Sequence, residues 1–430
     1  MAKSAKPDAA TPQDWSEEAQ AIGRRARAAA RGVAWATTNA KNAALVAMAA
    51  ALRSSADAIL KENAADTAGA KAAGLPAALI ERLMLTRERV EKMARSIEEI
   101  AGLRDPVGEI IEGYTRPNGL QIQRVRVPLG VVLAIYESRP NVTSDVAALC
   151  LKSGNAAILR GGKESLRSNL AIHKALAEAV TGQGLPADTL QMIDNPDHDL
   201  LAALLHEDRN IDVVIPRGGE ALIRAVAEQS TIPVIKHYKG VCHVYVDELA
   251  DLDMAEAICF NAKVQRAATC NAMETMLVHK NVAARFLPRI CRRMAEAGVE
   301  LRGDERVRRI CPHTQPATEE DWFAEYLDLV LSVRVVDDIQ EAIDHIAKYG
   351  SGHTDAIVSE DLRHVQQFVR EVDSSSVMVN TSTRFSDGGE YGLGAEVGIS
   401  TDKLHARGPM GIRDLTTYKW VVYGNGQLRT

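Results

Sequence analysis

Apolar side chains recur at helical spacing from residue 15 to about residue 104, as at Leu45, Met48 and Leu52. Ala, Glu, Arg and Leu, which favour or tolerate helices well, dominate this stretch. The segment Gly74–Pro76 interrupts it before a further helix pair. The pattern predicts an N-terminal block made of helices.

A strand pattern replaces the helical one at residues 108–126, where polar and apolar residues alternate. Asn118-Gly119, in the middle of this stretch, is the strongest short signal for a hairpin. The tail at Thr416–Tyr423 has the pattern of a lone strand. We expect that strand to pair with the hairpin.

From Val131 onward, apolar runs of strand length alternate with helical segments in two successive series. Such alternation is typical of right-handed βαβ units and of parallel sheets. We therefore predict an α/β fold with two parallel-sheet lobes that meet near residues 233–240. The strands of the first series are Val131–Tyr136, Ala156–Leu159, Thr189–Ile193 and Asp212–Ile215. Those of the second are His243–Val246, Thr275–His279, Val330–Val336, Ala356–Val358 and Val377–Asn380.

The composition is that of a globular protein and excludes wholesale disorder, with 430 residues, 46% of them hydrophobic and 25% charged. A formal net charge of −6 gives no general basic field for nucleic acid. The six cysteines form no C-x-x-C pair, so they predict reduced thiols and no metal site. Residues 1–13 contain no apolar stretch and predict no signal peptide, and the longest apolar runs are too short to span a bilayer. We expect a soluble cytoplasmic protein that binds neither nucleic acid nor membrane.

Cys270 lies in a loop of small residues between a predicted helix and the Thr275–His279 strand. That position suits an exposed nucleophilic thiol. By contrast, Cys150, Cys259 and Cys291 fall within apolar helical patterns and are typical of core thiols. The residues alone leave two interpretations of Cys270 open, a nucleophile and a buried thiol, and the second is the commoner use of an unpaired cysteine.

Two strand-to-helix turns carry glycine pairs beside basic residues. Gly161-Gly162 stands between Arg160 and Lys163, and Gly218-Gly219 follows Arg217. Glycine lets a ligand approach the backbone, and a helix N-terminus attracts phosphate. Neither turn has the G-x-G-x-x-G fingerprint, and each alone is more often a simple tight turn. Two such turns in one sheet favour a phosphate-bearing cofactor.

Polar side chains also stand close to the ends of other predicted strands. Arg139 follows the first strand, Arg384 lies in the polar stretch after Val377–Asn380, and His353 lies on the loop before Ala356–Val358. A guanidinium group pairs well with carboxylate or phosphate. These residues predict a polar pocket for an anion, with a solvated loop as the alternative for the stretch around Arg384.

Taken in order, the motifs of the chain resemble those of the aldehyde dehydrogenase superfamily, from about the thirteenth residue to the end. The resemblance implies a cofactor-binding domain at 1–107 and 130–238, a catalytic domain at 239–412, and a small β oligomerisation flap at 108–129 and 413–430. It also implies that Cys270 is the catalytic nucleophile. The motifs include Pro128-Leu129-Gly130-Val131-Val132, Leu151-Lys152-Ser153-Gly154-Asn155, Gly184-Leu185-Pro186, Cys270-Asn271-Ala272 and Tyr391-Gly392-Leu393-Gly394.

Longer motifs are similar to one branch of that superfamily, whose members act on the acyl phosphate L-glutamyl 5-phosphate. The resemblance implies NADPH-dependent reduction of this substrate to L-glutamate 5-semialdehyde and phosphate through a cysteine thioester, the second step of proline biosynthesis. It also implies a homo-oligomer, either a dimer or a tetramer, and a functional coupling to glutamate 5-kinase. The motifs are the segments 342–357, 372–375, 383–389 and 404–411.

Two departures from the wider superfamily concern catalysis. His237-Tyr238-Lys239-Gly240 stands where hydrolytic members have E-L-G-G, so the glutamate that activates water is missing. An enzyme whose thioester is reduced or attacked by phosphate does not need that base. The usual oxyanion asparagine aligns with Arg139, so Asn141 and backbone N–H groups near Cys270 become the candidate oxyanion donors.

A third departure concerns the cofactor. Lys163 stands where many NAD-using relatives have a glutamate that grips the ribose hydroxyls, and Arg160 aligns with their lysine. A lysine at this position attracts a 2′-phosphate, so the resemblance favours NADP(H). Glu325 aligns with the glutamate that holds the nicotinamide ribose in relatives, and Gly218-Gly219 is the second candidate cofactor turn.

The substrate carries a carboxylate and a phosphate, and four arginines are candidate partners for them. Two other functions stay open at this stage. One is a different aldehyde or acyl-phosphate dehydrogenase of the same fold, and the other is a catalytically silent scaffold with a buried thiol. His353 is a candidate for substrate binding or proton transfer. The four arginines are Arg139, Arg266, Arg384 and Arg407.

Overall fold

The computed structural model describes residues 14–429 of the chain. The expectation that residues 1–13 contain no signal peptide therefore falls outside the described residues. The helices are α1 Ser16–Ala34, α2 Thr38–Ser54, α3 Ala56–Ala72, α4 Ala77–Leu83, α5 Arg87–Gly102, α6 Asn141–Lys152, α7 Leu166–Gly182, α8 His198–Leu204, α9 Glu220–Gln229, α10 Leu252–Val264, α11 Lys280–Glu296, α12 Glu305–Ile310, α13 Glu319–Trp322, α14 Ile339–Tyr349 and α15 Leu362–Glu371.

The strands are β1 Ile110–Thr115, β2 Gln121–Pro128, β3 Val131–Tyr136, β4 Ala156–Gly161, β5 Leu190–Met192, β6 Val213–Arg217, β7 Cys242–Val246, β8 Met273–His279, β9 Glu300–Gly303, β10 Gln315–Pro316, β11 Val330–Val336, β12 Thr354–Val358, β13 Ser376–Val379, β14 Gly398–Ser400, β15 Gly408–Met410 and β16 Thr416–Tyr423. Short 3₁₀ turns lie at Lys163–Ser165, Ala187–Thr189 and Thr383–Phe385.

The first lobe has a four-stranded parallel sheet in the order β5-β4-β3-β6. Strand β3 is buried along its whole length, and alternate side chains of a strand point to opposite faces. Accordingly, Val132, Ala134 and Tyr136 join one apolar cluster with helices α2, α5, α6 and α7. The intervening residues join a second cluster with α1, α8 and α9. Helices on both faces explain why the sequence of β3 is apolar throughout.

The second lobe has a seven-stranded parallel sheet in the order β10-β9-β11-β8-β7-β12-β13. Helices α10 and α11 pack on one of its faces, and α14 and α15 pack on the other. The two-lobed α/β prediction is therefore confirmed. Strands β9 and β10 were not predicted, because runs of four and two residues show no hydrophobic period.

The small flap is a three-stranded antiparallel sheet in the order β1-β2-β16. Asn118-Gly119 forms the tight turn between β1 and β2, and Gly119 has the positive φ that such turns require. The C-terminal strand pairs with β2 along eight residues, from Thr416 with Pro128 to Tyr423 with Gln121. The hairpin and its pairing with the tail are confirmed.

The chain crosses back to the first lobe before it reaches the flap. Val397, Ala406 and Met410 belong to the same buried cluster as the first sheet. The short sheet β14-β15 lies within this returning segment. The predicted domain boundaries stay a prediction, and this packing brings residues 395–415 onto the core of the first lobe.

A search of residues 14–429 finds no single helix that is long and apolar enough to cross a membrane. Helices α2 and α3 pass that test only as a bent pair, by length and composition.

Candidate active site

Cys270 lies on the loop that joins α10 to β8, and this loop is fixed by its neighbours. The side-chain amide of Asn271 donates to the Ser386 carbonyl at 2.9 Å, which ties the loop to the polar stretch after β13. Thr269 donates its hydroxyl proton to the Arg266 carbonyl at 2.9 Å. A Cβ placed on Gly240 would lie 1.9 Å from the Cys270 carbonyl oxygen, so only glycine fits there. The thiol is therefore carried on a loop held from both sides.

The six thiols differ in exposure. Cys270 is half-buried, whereas Cys150, Cys242, Cys259 and Cys291 are buried. Burial raises the pKa of the Cys150 thiol to about 12 and raises that of Cys242 well above its ordinary value. A thiol must ionise to act as a nucleophile. The buried thiols are thus kept protonated, and Cys270 is open to a ligand.

Two histidines stand beside the Cys270 thiol. His237, Cys270 and His353 each offer one atom that can bind a metal, and these three atoms lie within 4.8 Å of one another. The two imidazole rings meet edge to face, with centroids 5.5 Å apart. Within residues 14–429 this is the one group of three or more such side chains whose atoms converge closely enough to hold a metal ion.

Both histidines are held through one ring nitrogen. His237 Nδ1 is 2.8 Å from the Ile399 carbonyl, which can only accept, so Nδ1 carries the proton and Nε2 keeps a lone pair. His353 Nδ1 lies 2.9 Å from the Thr354 hydroxyl, and its buried Nε2 has no hydrogen-bond partner. Burial lowers the pKa of His353 to about 4, which keeps the ring neutral at neutral pH.

Arginines give the surroundings of Cys270 a positive charge. Burial, followed by the charges of Arg217 and Arg82, lowers the pKa of the Arg139 guanidinium to about 10. Burial and the charge of Arg266 also lower the pKa of the Arg384 guanidinium. These mutual effects show that the side chains crowd together, and they remain cations at neutral pH. An anionic ligand would relieve the repulsion between them.

Not all of these arginines are free to meet a ligand. Within residues 14–429, neither the Arg139 nor the Arg266 guanidinium group forms a hydrogen bond or ion pair, whereas Arg384 donates from Nε to Gln265 at 2.8 Å. Arg407 forms an ion pair with Asp373 at 2.8 Å and also donates to its carbonyl. The structure therefore brings three of the four predicted arginines toward Cys270, and it shows Arg407 neutralised by a carboxylate.

Glu325 contacts the same neighbourhood from the other side. Its Oε1 accepts a 2.8 Å hydrogen bond from the Gly240 N–H, and Gly240 in turn packs on Cys270. Burial raises the pKa of the Glu325 carboxyl, although the Gly240 hydrogen bond acts in the opposite direction. Glu325 is predicted to bind the cofactor ribose, and in the structure only Gly240 separates its carboxylate from the Cys270 loop.

Strained backbone accompanies these residues. Three non-glycine residues have left-handed φ values, Ser138 at 28°, Leu327 at 52° and Asn380 at 51°. Ser138 precedes Arg139, Leu327 follows Glu325 by two positions, and Asn380 opens the stretch that contains Arg384. Strain of this kind costs about 1–3 kcal/mol per residue and clusters at functional sites.

The first candidate cofactor turn follows β4. Lys163 is exposed, and no side chain in the described part of the chain pairs with it. Its acidic neighbour Glu164 instead accepts from the Ser138 N–H at 2.8 Å and from the Ser138 hydroxyl at 2.7 Å. Arg160 is buried and donates to the Pro196 carbonyl at 3.0 Å. Lys163 is thus the cation of this turn that is available to an anion.

The second candidate turn is already engaged by an anion of the chain itself. The Gly219 N–H, at the start of α9, donates to Glu137 Oε2 at 2.9 Å. A Cβ on Gly218 would lie 2.6 Å from the same oxygen. The glycines therefore let Glu137 reach the helix N-terminus. A cofactor phosphate would have to displace Glu137 to bind at Gly218-Gly219.

Asn141 is not joined to the Cys270 loop by any hydrogen bond in residues 14–429. It begins α6, its side chain is exposed, and its amide donates to Asp145 at 2.9 Å. Its predicted role as an oxyanion donor would need that amide to turn away from Asp145.

Sequence reasoning did not single out two residues that the fold brings to the thiol. His237 occupies the position of the missing general base, and the alignment noted only the loss of a glutamate there. Arg82, in α4, donates to the Ala268 carbonyl on the catalytic loop at 3.3 Å. The histidine that replaces glutamate in the motif could have predicted a role for His237. The sequence around Arg82 has only the ordinary pattern of a surface helix and predicts no such role.

The model of the aldehyde dehydrogenase family matches residues 4–322. The chain is 54% identical to a gamma-glutamyl phosphate reductase of Geobacter metallireducens over 414 residues, which cover 96% of this chain and 99% of that protein. A protein of the same name from Caldanaerobacter subterraneus is 52% identical over 96% of this chain and 100% of the relative.

Solved structures give the same result. The crystal structure of gamma-glutamyl phosphate reductase from Thermotoga maritima superposes with a TM-score of 0.94 at 45% identity, covering 97% of this chain and 100% of that one. The corresponding protein of Saccharomyces cerevisiae has a TM-score of 0.54 at 32% identity, covering 96% and 98%.

Proposed function

The chain belongs to the aldehyde dehydrogenase family and, within it, to the gamma-glutamyl phosphate reductases, and on this premise we propose its reaction in detail. The protein reduces L-glutamyl 5-phosphate to L-glutamate 5-semialdehyde and inorganic phosphate, with NADPH as reductant, in the second step of proline biosynthesis. The observation that carries the proposal is the half-buried Cys270 thiol, flanked by His237 and His353 and surrounded by arginines.

The first chemical step uses Cys270 as nucleophile. The Cys270 thiolate attacks the acyl carbon, a C–S bond forms, the bond from that carbon to the phosphate oxygen breaks, and phosphate leaves. The product of this step is a thioester on the enzyme. The reduced nicotinamide, when bound, supplies the hydride that converts the thioester to the aldehyde level. Collapse of the resulting thiohemiacetal releases the semialdehyde and restores the thiolate.

The histidines handle the proton of this cycle. His237 has a lone pair on Nε2 because Nδ1–H is donated to Ile399, so it can accept the proton of the Cys270 thiol. No glutamate stands at this position to activate water. Once His237 holds the thiol proton, its Nε2 also has no lone pair with which to activate water, so the thioester is protected from the hydrolysis that would waste the acyl phosphate.

The arginines bind the anionic groups of the substrate. Arg139, Arg266 and Arg384 surround the thiol, and the first two have no partner within residues 14–429. A phosphate dianion and a carboxylate would neutralise this cluster through charge-assisted hydrogen bonds, each stronger than a neutral one. Arg407 is already paired with Asp373, so it positions the segment beside His353.

Backbone N–H groups of the Cys270 loop are the better oxyanion donors, because Asn141 is bound to Asp145.

NADP(H) fits the chain through three side chains. Lys163 is exposed and unpaired among the described residues and suits a 2′-phosphate. Arg160 lies near the end of β4, the strand that precedes Lys163. Glu325 stands beside the Cys270 loop, where it can accept from the ribose hydroxyls. This assignment rests on the free Lys163 cation and on the engagement of Glu164 by Ser138.

The acyl phosphate is unstable in water, which favours its direct passage from the kinase that makes it. We therefore propose a functional coupling to glutamate 5-kinase, in the cytoplasm. The coupling is tested by mixing the two proteins and measuring the yield of semialdehyde as the mixture is diluted. A yield that falls less than free diffusion of the acyl phosphate allows would support it.

The function is tested in the reverse direction by NADP reduction with L-glutamate 5-semialdehyde, in phosphate buffer and in a phosphate-free control. We expect phosphate-dependent NADPH formation, complete loss in Cys270→Ser, and full activity in Cys311→Ser, where the other half-buried thiol is removed. Activity that persists without phosphate would overturn the acyl-phosphate assignment, and activity in Cys270→Ser would overturn the nucleophile.

The two alternatives have their own tests. A panel of other aldehydes and acyl phosphates would identify a different substrate within the same fold. Labelling of Cys270 by a thiol reagent, with protection by an acyl phosphate, would exclude a silent scaffold.

A further inference from the structure

We propose that Cys270, His237 and His353 form a zinc-binding site, and that one Zn²⁺ held there blocks the nucleophile reversibly. The metal site can be tested without substrate, whereas the block of the nucleophile rests on the proposed function of Cys270. The site uses the donor atoms of the three side chains and no other part of the cofactor or substrate site.

The three donor atoms are close to the spacing that zinc requires. They lie within 4.8 Å of one another in the structure without an ion. In a tetrahedral site with Zn–S near 2.3 Å and Zn–N near 2.0–2.1 Å, neighbouring donors stand about 3.3–3.6 Å apart. The separations therefore have to shrink by about 1.5 Å at most, which rotation of the half-buried Cys270 and His237 side chains toward the buried His353 can supply.

The outer contacts of both histidines are those of metal-bound imidazoles. A ligating histidine usually donates its second ring N–H to a carbonyl or another acceptor, which fixes the tautomer and orients the ring. His237 already donates Nδ1–H to the Ile399 carbonyl at 2.8 Å. His353 Nδ1 has the Thr354 hydroxyl at 2.9 Å as its partner. His237 Nε2 therefore keeps a lone pair, and the Thr354 hydroxyl can accept from His353 Nδ1–H, which leaves a lone pair on His353 Nε2 as well.

An unsatisfied polar atom also points to a ligand at this place. His353 is fully buried, and its Nε2 has no hydrogen-bond partner. Such an atom destabilises the folded protein compared with one that is satisfied. A zinc ion bound to Nε2 would remove that cost.

The donor set selects zinc over the common hard cations. Thiolate and imidazole are soft or borderline ligands, whereas Mg²⁺ and Ca²⁺ prefer oxygen. Binding replaces the thiol proton, which is released to solvent, and leaves a site with a net charge of +1. The fourth position stays open to water or to an anion, and the arginines around it favour an anion. With its sulfur lone pair bound to zinc, Cys270 cannot attack an acyl group.

The site is tested with the purified, chelator-treated protein and two measurements. Zinc-edge X-ray absorption on protein with one equivalent of Zn²⁺ should show one sulfur near 2.3 Å and two imidazole nitrogens near 2.0–2.1 Å. Replacement by Co²⁺ should give a thiolate-to-cobalt charge-transfer band. Zinc should also protect Cys270 from alkylation by iodoacetamide, and a chelator should restore both alkylation and activity.

Variants separate this site from unspecific binding at thiols. Loss of a residue that only hydrogen-bonds to a metal ligand weakens binding by roughly 10- to 100-fold. His237→Ala removes a ligand itself, so it should weaken zinc binding by at least that factor. His353→Gln should do the same, and it keeps most of the buried volume in case His353→Ala fails to fold. His206→Ala, an exposed histidine on the first lobe, and Cys311→Ser should bind zinc as the wild type does. Unchanged affinity in both site-histidine variants, or an absorption spectrum with sulfur but no imidazole, would overturn the proposal.

Discussion

Gly240 packs directly on Cys270, and a Cβ at Gly240 would lie 1.9 Å from the Cys270 carbonyl oxygen. No adjustment of a flexible side chain can relieve that overlap, because the position of a Cβ is fixed by its backbone and the oxygen that it meets is a backbone atom. The catalytic loop would have to move instead. The Gly240 N–H also donates to Glu325, so the same shift would disturb a predicted cofactor ligand.

Gly240→Ala should therefore lower kcat by about 100-fold, the order expected when a reacting group is displaced by about 1 Å. The variant should remain folded, because the overlap is local. Steady-state rates and a thermal melt measure the two properties. Gly69→Ala is the matched control, since nothing lies within 4 Å of a Cβ at Gly69. Equal activity of Gly240→Ala and Gly69→Ala would show that the position of Cys270 tolerates movement.

The second prediction concerns cofactor choice. Lys163→Glu should raise KM for NADPH by roughly 10-fold or more, because a carboxylate would repel the 2′-phosphate that the lysine attracts, and it should leave KM for NADH little changed. Initial rates with both cofactors measure the ratio.

Lys174→Glu makes the same charge change at an exposed position of α7 and serves as the control. The same loss of affinity for NADPH and NADH in Lys163→Glu would contradict a contact with the 2′-phosphate.

The sequence allowed much of this site to be predicted, for identifiable physical reasons. Strand β3 was predicted with its observed bounds, because a fully buried run of six apolar residues is bounded by Gly130 and by a charged residue. Cys270 stood out as a thiol outside an apolar pattern. These are local signals, since burial and turn chemistry are written in neighbouring residues.

Other parts depended on tertiary contacts and left no local signal. His237 meets Cys270 and His353 only because three separate segments converge at the amino-terminal ends of the central strands β7, β8 and β12. The engagement of Gly219 by Glu137 joins the ends of two strands that neighbour each other only in the sheet. Periodicity and motif spacing do not encode which side chain fills such a turn.

Arg139 should be the arginine that matters most for substrate affinity. It is half-buried and has no partner within residues 14–429, and its pKa of about 10 keeps it charged. Arg139→Gln should lower kcat/KM for the acyl phosphate about 10- to 100-fold, which corresponds to the loss of one charge-assisted hydrogen bond of about 1.5–3 kcal/mol.

Arg285→Gln, on the exposed face of α11, is the control and should leave kcat/KM unchanged. Phosphate inhibition constants give a second readout, because removal of an arginine that binds the phosphate should also weaken inhibition by phosphate. A normal kcat/KM in Arg139→Gln would assign the anion site to Arg266 or Arg384.

A buried ion pair behind the catalytic loop makes stability depend on pH in one variant. Lys263 and Glu274 are both fully buried and lie 2.6 Å apart, and Glu274 also accepts from the Leu327 N–H. Burial raises the pKa of the Glu274 carboxyl from 4.5, while Lys263 opposes that rise. Lys263→Met should destabilise the protein by about 3–5 kcal/mol at neutral pH, because it leaves a buried charge without its partner.

The sign of the pH dependence follows from the raised pKa. Below pH 4.5 the Glu274 carboxyl is protonated in the folded and unfolded states alike, so the loss of the lysine in Lys263→Met lowers the free energy of unfolding least there. As the pH rises above 4.5, the unfolded state ionises first and the free energy of unfolding of Lys263→Met falls. Urea unfolding at about pH 5 and about pH 8 should show this decline, and the double variant Lys263→Met/Glu274→Leu should remove it. A pH-independent loss in the single variant would contradict the mechanism.

The flap presents exposed aromatic and aliphatic side chains around the Arg124–Glu112 ion pair, and we expect this face to join subunits. Paired residues of an antiparallel sheet point to the same side, which places Tyr114, Ile122 and Val422 together, with Trp420 on the neighbouring pair. Trp420 and Val422 are 50% and 54% exposed, which is unusual for large apolar side chains side by side. Trp420→Glu should therefore dissociate the homo-oligomer that we expect, because it replaces a large exposed apolar side chain of this face with a charged one. Lys419→Glu changes a side chain on the opposite face of the same strand and should keep the assembly intact. Light scattering coupled to gel filtration measures both, and a wild-type mass for Trp420→Glu would show that the subunits meet elsewhere.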